Sequence, residues 1–287
     1  MEITTTGHLN SMVKNAIMMN KKRFYEASQR VSTGKNLLKP SDNPGLSKQI
    51  LAYKTEIAII DQYENNITLA KNKMDFEQLT LKNIHDLVNQ AKDISNSPSE
   101  MSVSQIENIQ DQLLSLSNET YDDKFLFAGH NVDNRPFDED GVYTGDNGEI
   151  HIIIDNNESV KINVTGNELF KGDEETNVFE NLNELKSLLQ EEPIDNDKLM
   201  EISDKLMKDV DRIQGVITNQ SITYNRLDSK EAFLQEEKEL VTDKLSSIED
   251  ADMDTAIVNL QVQRMAYEAT LAMTSMILNR KTILDYL

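Results

Sequence analysis

Apolar residues recur at helical spacing along the first third of the chain. In residues 5–33 most of them are three, four or seven positions apart, and Gly34 is placed to end this helix. From Leu46 to Pro98 they step by three, four or multiples of seven positions, which is the pattern of a coiled-coil stripe. We expect a third helix behind it, opened by a capping box that begins at Ser104.

The period of the apolar residues changes to two in the middle of the chain. Between residues 125 and 170, the segments 150–154 and 160–164 alternate in the manner of β-strands. Turn-forming residues stand at 146–148 and 155–157. This pattern predicts a small antiparallel sheet inserted between helices.

Helical spacing returns in the last third of the chain. It resumes near Val178, is broken at Pro193 and restarts with Asp195 as the predicted N-cap. The apolar stripe at 199–248 is the longest in the chain and is partly polar, with Gln220 on it. A short acidic segment then precedes the last helix.

Two apolar stripes lie on this last helix. The first stripe consists of Val258, Val262, Met265, Ala269, Ala272, Met276 and Ile283. The second stripe consists of Met253, Ile257, Leu260, Tyr267, Leu271 and Leu278. Because one neighbour cannot cover both, the N-terminal helix can cover one stripe and the other needs a second chain. The predicted assembly interface therefore comprises both stripes and the N-terminal residues Leu9, Val13, Ala16, Phe24 and Val31.

The predicted fold is mainly α with a small inserted β region. Long coiled-coil-like helices come from both chain ends, and an antiparallel β subdomain lies in the middle. Residues 1–40 and 249–287 are predicted as the two helices of an inner coiled-coil domain. Residues 41–124 and 176–248 form the halves of a helical rod domain, and 125–175 form a small outer subdomain.

The charge of the chain narrows its possible partners. The formal net charge is −21, but residues 1–40 carry seven Lys or Arg against two Glu, so the remainder carries −26. Such an acidic body argues against nucleic-acid binding, which needs cationic side chains against phosphates. The basic start is either a solvated helix face or a surface for a partner.

Cysteine is absent, which excludes disulfides and thiol chemistry. This suits a reducing compartment or an exported protein. The first 30 residues lack the apolar segment of a secretory signal, and no stretch of 18 apolar residues occurs, so we expect no membrane insertion. If the protein is exported, we expect a route without a cleavable signal peptide.

No residue pattern points to catalysis. The four histidines lie far apart without metal-ligand spacing. The acidic loop at 138–146 fails the calcium-loop pattern because Val142 occupies a required oxygen-ligand position. Phosphate-loop, nucleophile-elbow and dinucleotide motifs are absent. We therefore expect a protein that is not an enzyme and uses no metal or cofactor.

Several motifs resemble those of bacterial flagellar proteins. Segments 28–35 and 39–44 resemble the N-terminal signature of flagellins and hook-associated proteins, and 245–253 with 267–269 resembles the flagellin-like C-terminal helix. A more specific mid-chain signature is similar to that of hook–filament junction proteins of the FlgL type (hook-associated protein 3). This signature is Lys124-Phe125-Leu126-Phe127-Ala128-Gly129, then Arg135-Pro136-Phe137, then Gly141-Val142-Tyr143-Thr144-Gly145-Asp146.

The resemblance implies a structural subunit of the bacterial flagellum, outside the cell. Proteins of the FlgL type form a homo-oligomeric layer that connects the hook, through a FlgK-type junction protein, to the flagellin filament. They are exported by the flagellar type III apparatus, often with an export chaperone on the C-terminal helix. The implied partners are therefore further copies of the chain, the FlgK-type protein, flagellin and the chaperone.

Two alternatives stay open. A small flagellin that forms the filament itself has similar terminal motifs, and expression as long homopolymeric filaments would favour it. The proline-bracketed segment 40–44 and the short central region depart from the usual flagellin pattern. A secreted coiled-coil adhesin or type III needle-tip protein belongs to another class, and normal motility after deletion would favour it.

Overall fold

The backbone is described for residues 2–172 and 174–278 of a computed structural model, and the side chains for residue 8 and for 11–276 within those limits. The chain divides into two compact units. The terminal unit consists of Met1–Ile59 and Glu237–Leu287, and the middle unit of Ile60–Glu236. The five-segment division expected from the sequence stays a prediction.

Long helices dominate both units, as the sequence predicts. The helices are α1 (Glu2–Thr33), α2 (Pro44–Asn96), α3 (Ser102–Ser117), α4 (Gly166–Phe170), α5 (Val178–Leu189), α6 (Asn196–Glu249) and α7 (Met253–Leu278). The strands are β1 (Thr120–Tyr121), β2 (Lys124–Phe125), β3 (His151–Asp155) and β4 (Glu158–Lys161).

Individual residues mark the end of α1 and the start of α2. Gly34 follows α1 with φ +68°, and its N–H donates to the carbonyl of Arg30 at 2.9 Å. Pro44 opens α2, where a missing N–H leaves no helical bond unmade. The Asn43 side chain accepts the N–H of Leu46 at 3.1 Å and caps this helix.

The start of α3 differs from the prediction. The helix begins at Ser102, and Met101 precedes it without a side-chain cap, so the capping box expected at Ser104 is wrong. The Ser102 hydroxyl accepts the N–H of Ser99 at 2.7 Å, and this turn starts the helix three residues earlier than a cap at Ser104 would. Asp195 caps α6 as predicted, since its carboxylate accepts the N–H groups of the second and third helical residues at 3.1 and 3.3 Å.

The predicted hairpin is present as the antiparallel pair of β3 with β4, although β4 begins and ends two to three residues earlier than the expected segment 160–164. A second antiparallel pair, β1 with β2, was not predicted from the sequence. In the β3–β4 pair Ile152 lies opposite Val160. Ile154 and Val160 are buried in a cluster with Ile67 of α2 and Leu227 of α6. The hairpin is therefore held on the two long helices by its apolar face.

A larger core occupies the rest of the middle unit, between α2, α3, α5 and α6. Aromatic rings form part of it. Phe137 meets Phe170 edge-on with centroids 4.9 Å apart, and Phe170 stacks on Phe179 at 5.3 Å. The Tyr143 ring lies 5.1 Å from that of Phe137, and its hydroxyl donates to the Phe127 carbonyl at 3.0 Å.

Hydrogen bonds in and beside the mid-chain signature converge on Asp146. Its Oδ1 accepts the N–H of His130 at 2.7 Å and that of Gly148 at 2.8 Å. The His130 N–H, with the Gly148 N–H, lowers the pKa of this carboxyl. Gly129 has φ +75°, and a Cβ there would lie 2.1 Å from Asp146 Oδ1. The signature is thus a set of residues that specify one turn arrangement beside the core.

Candidate assembly interface

Helix α1 packs along α7 in the terminal unit. The rings of Phe24 and Tyr267 stack with centroids 6.0 Å apart and planes 5° apart. About one turn away along both helices, Asn20 Nδ2 donates to Thr270 Oγ1 at 2.6 Å. The terminal helices therefore pair through an aromatic contact and a hydrogen bond between side chains.

This packing buries few side chains. Among the side chains described, Ala27 is the single buried one of α1, and α7 has none. The half-buried positions of α7 form one stripe, in which small and polar residues outnumber large apolar ones. They are Ala256, Asn259, Leu260, Gln263, Ala266, Tyr267, Thr270 and Thr274. Pairing with α1 therefore leaves most of the large apolar surface of α7 uncovered.

The first stripe faces away from this packing. Every member within the described side chains is exposed, and Ile283 lies outside the described residues. The large members Val258, Val262, Met265 and Met276 are 61%, 49%, 61% and 72% exposed, and Ala269 and Ala272 are exposed as well. A continuous exposed apolar stripe of this kind is typical of a surface that becomes buried against a partner.

The second stripe is divided. Leu260 and Tyr267 are half-buried, whereas Met253, Ile257 and Leu271 are exposed. The side chain of Leu278 is outside those described. The face that packs on α1 thus runs between the two predicted stripes, because Gln263 and Thr270 occupy its centre. Hydrophobicity alone does not identify this face.

The predicted residues of α1 also differ in exposure. Val13, Phe24 and Val31 are half-buried and Ala16 is exposed, while the side chain of Leu9 is outside those described. The structure brings Phe24 to Tyr267. Whether these residues contact other subunits stays a prediction.

Some exposed apolar residues were missed by the reasoning from apolar spacing. Met12, Met18, Met19 and Tyr25 on α1, and Met273 on α7, are all more than half exposed. Their adjacency in the sequence, as at Met18-Met19, hides them from a test for a single stripe. The density of methionine in the terminal helices was the available signal.

The end of α1 is joined to the end of α6 by a short antiparallel pairing. The N–H of Asn36 donates to the carbonyl of Glu249, and the N–H of Ala251 donates to the carbonyl of Gly34, both at 2.8 Å. Lys35 and Asp250 form the bridge between these bonds. This pairing fixes the register at which the chain enters α7.

The Glu249 carboxylate reinforces this pairing. It is 9% exposed and receives the ammonium groups of Lys35 at 2.6 Å and Lys54 at 2.7 Å. Burial acts to raise the pKa of Glu249, but the two ammonium groups outweigh it and hold the pKa below its ordinary value. The carboxylate therefore stays ionised and links α6 to the loop after α1 and to α2.

One further perturbed carboxyl, that of Asp209, lies buried inside the helical packing of the middle unit. Burial raises the pKa of Asp209, whose carboxylate accepts Asn181 Nδ2 at 2.7 Å and Arg212 Nη2 at 2.5 Å. The hydrogen bond from Asn181 joins α5 to α6. Within the described residues, no group of three or more His, Asp or Glu is arranged to hold a metal ion. Among the described helices, none combines the length and the apolar character that crossing a membrane requires.

Charge is divided between the two units. Residues 60–236 hold 37 of the 50 acidic and 15 of the 29 basic residues, so the middle unit carries a formal −22. The terminal unit carries +1. The terminal units of two copies therefore add almost no like-charge repulsion of their own.

Family comparisons match both ends of the chain. A family model for the bacterial flagellin N-terminal helical region matches residues 5–132, and one for the bacterial flagellin C-terminal helical region matches residues 200–287. Together they cover about three quarters of the chain, including α1 and α7. The chain belongs to the flagellin-like family.

Comparison with individual relatives identifies a narrower group within the flagellin-like family. Flagellar hook-associated protein 3 of Escherichia coli (strain K12) is 24% identical over 273 residues, 84% of this chain and 86% of that protein. The crystal structure of Bacillus cereus FlgL is 19% identical, with TM-score 0.58 over 67% of this chain and 97% of that one. The flagellar junction protein FlgL from Legionella pneumophila is 13% identical, with TM-score 0.59 over 70% and 99%. Within its family, the chain is of the FlgL type.

Proposed function

We propose that this chain is a structural subunit of the junction layer that connects the flagellar hook, through a FlgK-type protein, to the flagellin filament. The names of its relatives, a hook-associated protein 3 and a flagellar junction protein, support this role. A subunit of this kind acts by binding and by passive mechanics, so the chain is not proposed to catalyse a reaction.

The exposed first stripe of α7 carries the proposal. It presents Val258, Val262 and Met265 to solvent in the isolated chain, and α1 does not reach them. An apolar stripe on a helix whose other side is only half-buried is a surface for association. Neighbouring copies in one layer, the FlgK-type protein and flagellin are the proposed partners for it.

The route to the outside follows from the same proposal. We infer that the chain is exported by the flagellar type III apparatus without a cleavable signal peptide and resides in the extracellular flagellum. Before assembly, an export chaperone is the proposed cover for α7. Few of the described side chains of α1 and α7 are buried, which supports this, because such helices separate from each other at low cost.

Deletion and complementation test the junction role. Deletion of the coding gene should leave hooks without filaments, with flagellin shed into the medium. The full chain should restore filaments, whereas Val262→Asp or Met265→Asp should lower the number of filaments at least about tenfold, because an unpaired carboxylate would be buried on assembly. Leu79→Asp is the matched control, since Leu79 is an exposed apolar residue on α2 outside the proposed surface.

The outcome also separates the alternatives. Filaments of normal number after deletion, or normal filaments with both α7 variants, would exclude the proposal. The flagellin models that match both chain ends favour one second candidate, a small flagellin. In that case purified filaments would consist of this chain, whereas a junction subunit would be a trace component at one end.

A further inference from the structure

Methionine is concentrated on the exposed faces of the terminal helices. Seven of the eleven methionines whose side chains are described lie exposed on α1 and α7. They are Met12, Met18, Met19, Met253, Met265, Met273 and Met276, between 40% and 72% exposed. Met74 is buried in the core of the middle unit, and Met101, Met200 and Met207 are exposed on that unit.

These thioethers are the oxidisable sulfur of the chain, because cysteine is absent. Hydrogen peroxide transfers one oxygen atom to the sulfur: the O–O bond breaks, an S–O bond forms, and water leaves. The thioether loses two electrons and the peroxide gains them. The product, methionine sulfoxide, is polar and chiral, and sulfoxide reductases can return it to the thioether.

We propose that the seven methionines of α1 and α7 are a peroxide-sensitive modification site that decides whether a subunit can assemble. The proposal rests on the proposed function, since it requires these helices to be buried in the flagellum. In the free chain a sulfoxide is solvated, but in an apolar contact its oxygen loses water without gaining a donor. Oxidation therefore opposes assembly more than it opposes folding.

The placement of the methionines makes this effect selective. Met265 and Met276 belong to the exposed first stripe, and Met12 and Met19 lie seven residues apart along α1. The core of the middle unit is built from other apolar residues, and its Met74 is 2% exposed. Peroxide should thus modify the terminal helices and the exposed methionines of the middle unit, but not the core, so the middle unit keeps its structure. Assembly should then protect the sulfurs of the terminal helices.

The test uses the full chain and hook ends from the deletion strain. Untreated chain is added with flagellin, and filament growth is counted. After hydrogen peroxide treatment, with sulfoxides located by peptide mass spectrometry, growth should fall at least about tenfold. Sulfoxide reductases should restore it. Circular dichroism should show unchanged helix in the treated chain, and unfolding by peroxide would overturn the proposal.

Two leucine variants locate the effect, since leucine has similar volume and cannot be oxidised. Replacing the seven methionines by Leu should keep growth after peroxide. A variant limited to Met265→Leu, Met273→Leu and Met276→Leu should be partly resistant, which keeps the test decisive if the larger variant misfolds. The control set Met101→Leu, Met200→Leu and Met207→Leu should stay sensitive.

The outcomes separate the two proposals. Fully oxidised chain that supports normal growth, or leucine variants as sensitive as the parent, would refute the modification site alone. Untreated parent chain that supports no growth on hook ends would instead count against the junction role.

Discussion

At the scale of single residues, Glu77 of α2 is a carboxyl without exposed surface in the middle unit. Its oxygens accept the N–H of Val164 at 3.1 Å and Nε2 of Gln220 at 2.9 Å. Burial, opposed by the Lys73 ammonium 3.9 Å away, raises the pKa of Glu77 to about 7. In the described part of the chain, the Gln220 side-chain oxygen is buried without a hydrogen-bond partner.

Replacing Glu77→Gln should therefore change how stability depends on pH. The folded pKa lies above the ordinary 4.5, so the folded state keeps its proton where the unfolded chain has lost it. The bound proton therefore stabilises the folded state. This stabilisation is complete below pH 4.5 and is lost as the pH rises through 7. The loss amounts to about 3 kcal/mol.

Urea unfolding of both proteins at about pH 5 and about pH 8, followed by circular dichroism, measures this difference. The variant should be the more stable protein at the higher pH, and its advantage should shrink at the lower pH. Glu107→Gln, at an exposed position on α3, is the matched control. Parallel pH profiles for parent and Glu77→Gln would show that Glu77 is not the titrating group.

A second residue-scale prediction concerns Gly129. Gly129→Ala combines a left-handed backbone with a Cβ that would overlap Asp146, and should lower the free energy of unfolding by roughly 2–5 kcal/mol. Gly215→Ala is the control in the same unit, because Gly215 is exposed in α6 with nothing within 4 Å. It should stabilise the chain by about 0.5–1 kcal/mol. The unfolding temperatures of the two variants should shift in opposite directions. An unchanged unfolding temperature for Gly129→Ala would contradict the requirement for glycine in the turn beside Asp146.

At the scale of elements, the terminal helices differ from those of the middle unit in how they are held. Helix α3 buries Ile106, Ile109 and Leu113 against the main core. Helices α1 and α7 are held mainly by half-buried side chains, by the Phe24–Tyr267 stack and by the pairing at Glu249. Local opening therefore requires less free energy in the terminal helices than in α3.

Hydrogen exchange should reveal this difference. In the isolated full chain, the amides of α1 and α7 should exchange at least about tenfold faster than those of α3. In the assembled flagellum their exchange should slow, because neighbours cover the exposed stripe, while α3 should be protected in both states. Mass spectrometry of peptides from both samples measures this. Equal protection of α1 and α7 in the two states would speak against their role in assembly.

At the scale of the whole molecule, charge and apolar surface are segregated. The middle unit carries −22, whereas the terminal unit carries +1 and the exposed apolar stripe. The negative charge of the middle unit should disfavour contact between chains, whereas the exposed apolar stripe should favour it. If copies associate through the apolar stripe as proposed, the repulsion between their middle units opposes that association.

Salt should therefore promote self-association. Raising NaCl from about 10 mM to about 150 mM shortens the screening length from about 30 Å to about 8 Å, which weakens repulsion between middle units. Sedimentation velocity at one protein concentration should show more association at the higher salt. Weaker association in salt would contradict this and would indicate that the lysines of α1 bind the acidic units of neighbours.

The sequence by itself determined the long helices, the β3–β4 hairpin and the excess of apolar surface on α7, but not the short helix α4 or the β1–β2 pair. The predicted features depend on local spacing and on punctuation by residues such as Gly34, Pro44 and Asp195, which act on their own neighbours. The start of α3 could not be predicted in this way, because two candidate serines lie two positions apart.

Only the tertiary structure decided which side of α7 packs on α1. That side is centred on Gln263 and Thr270, and its choice depends on Asn20 and Phe24, some 250 residues away in the chain. Likewise, the sequence shows Gln220 only as a polar position on an apolar stripe, whereas the structure shows that it donates a hydrogen bond to Glu77. Local spacing specifies how much apolar surface a helix presents, but the partner of each face depends on contacts between distant segments, which spacing does not contain.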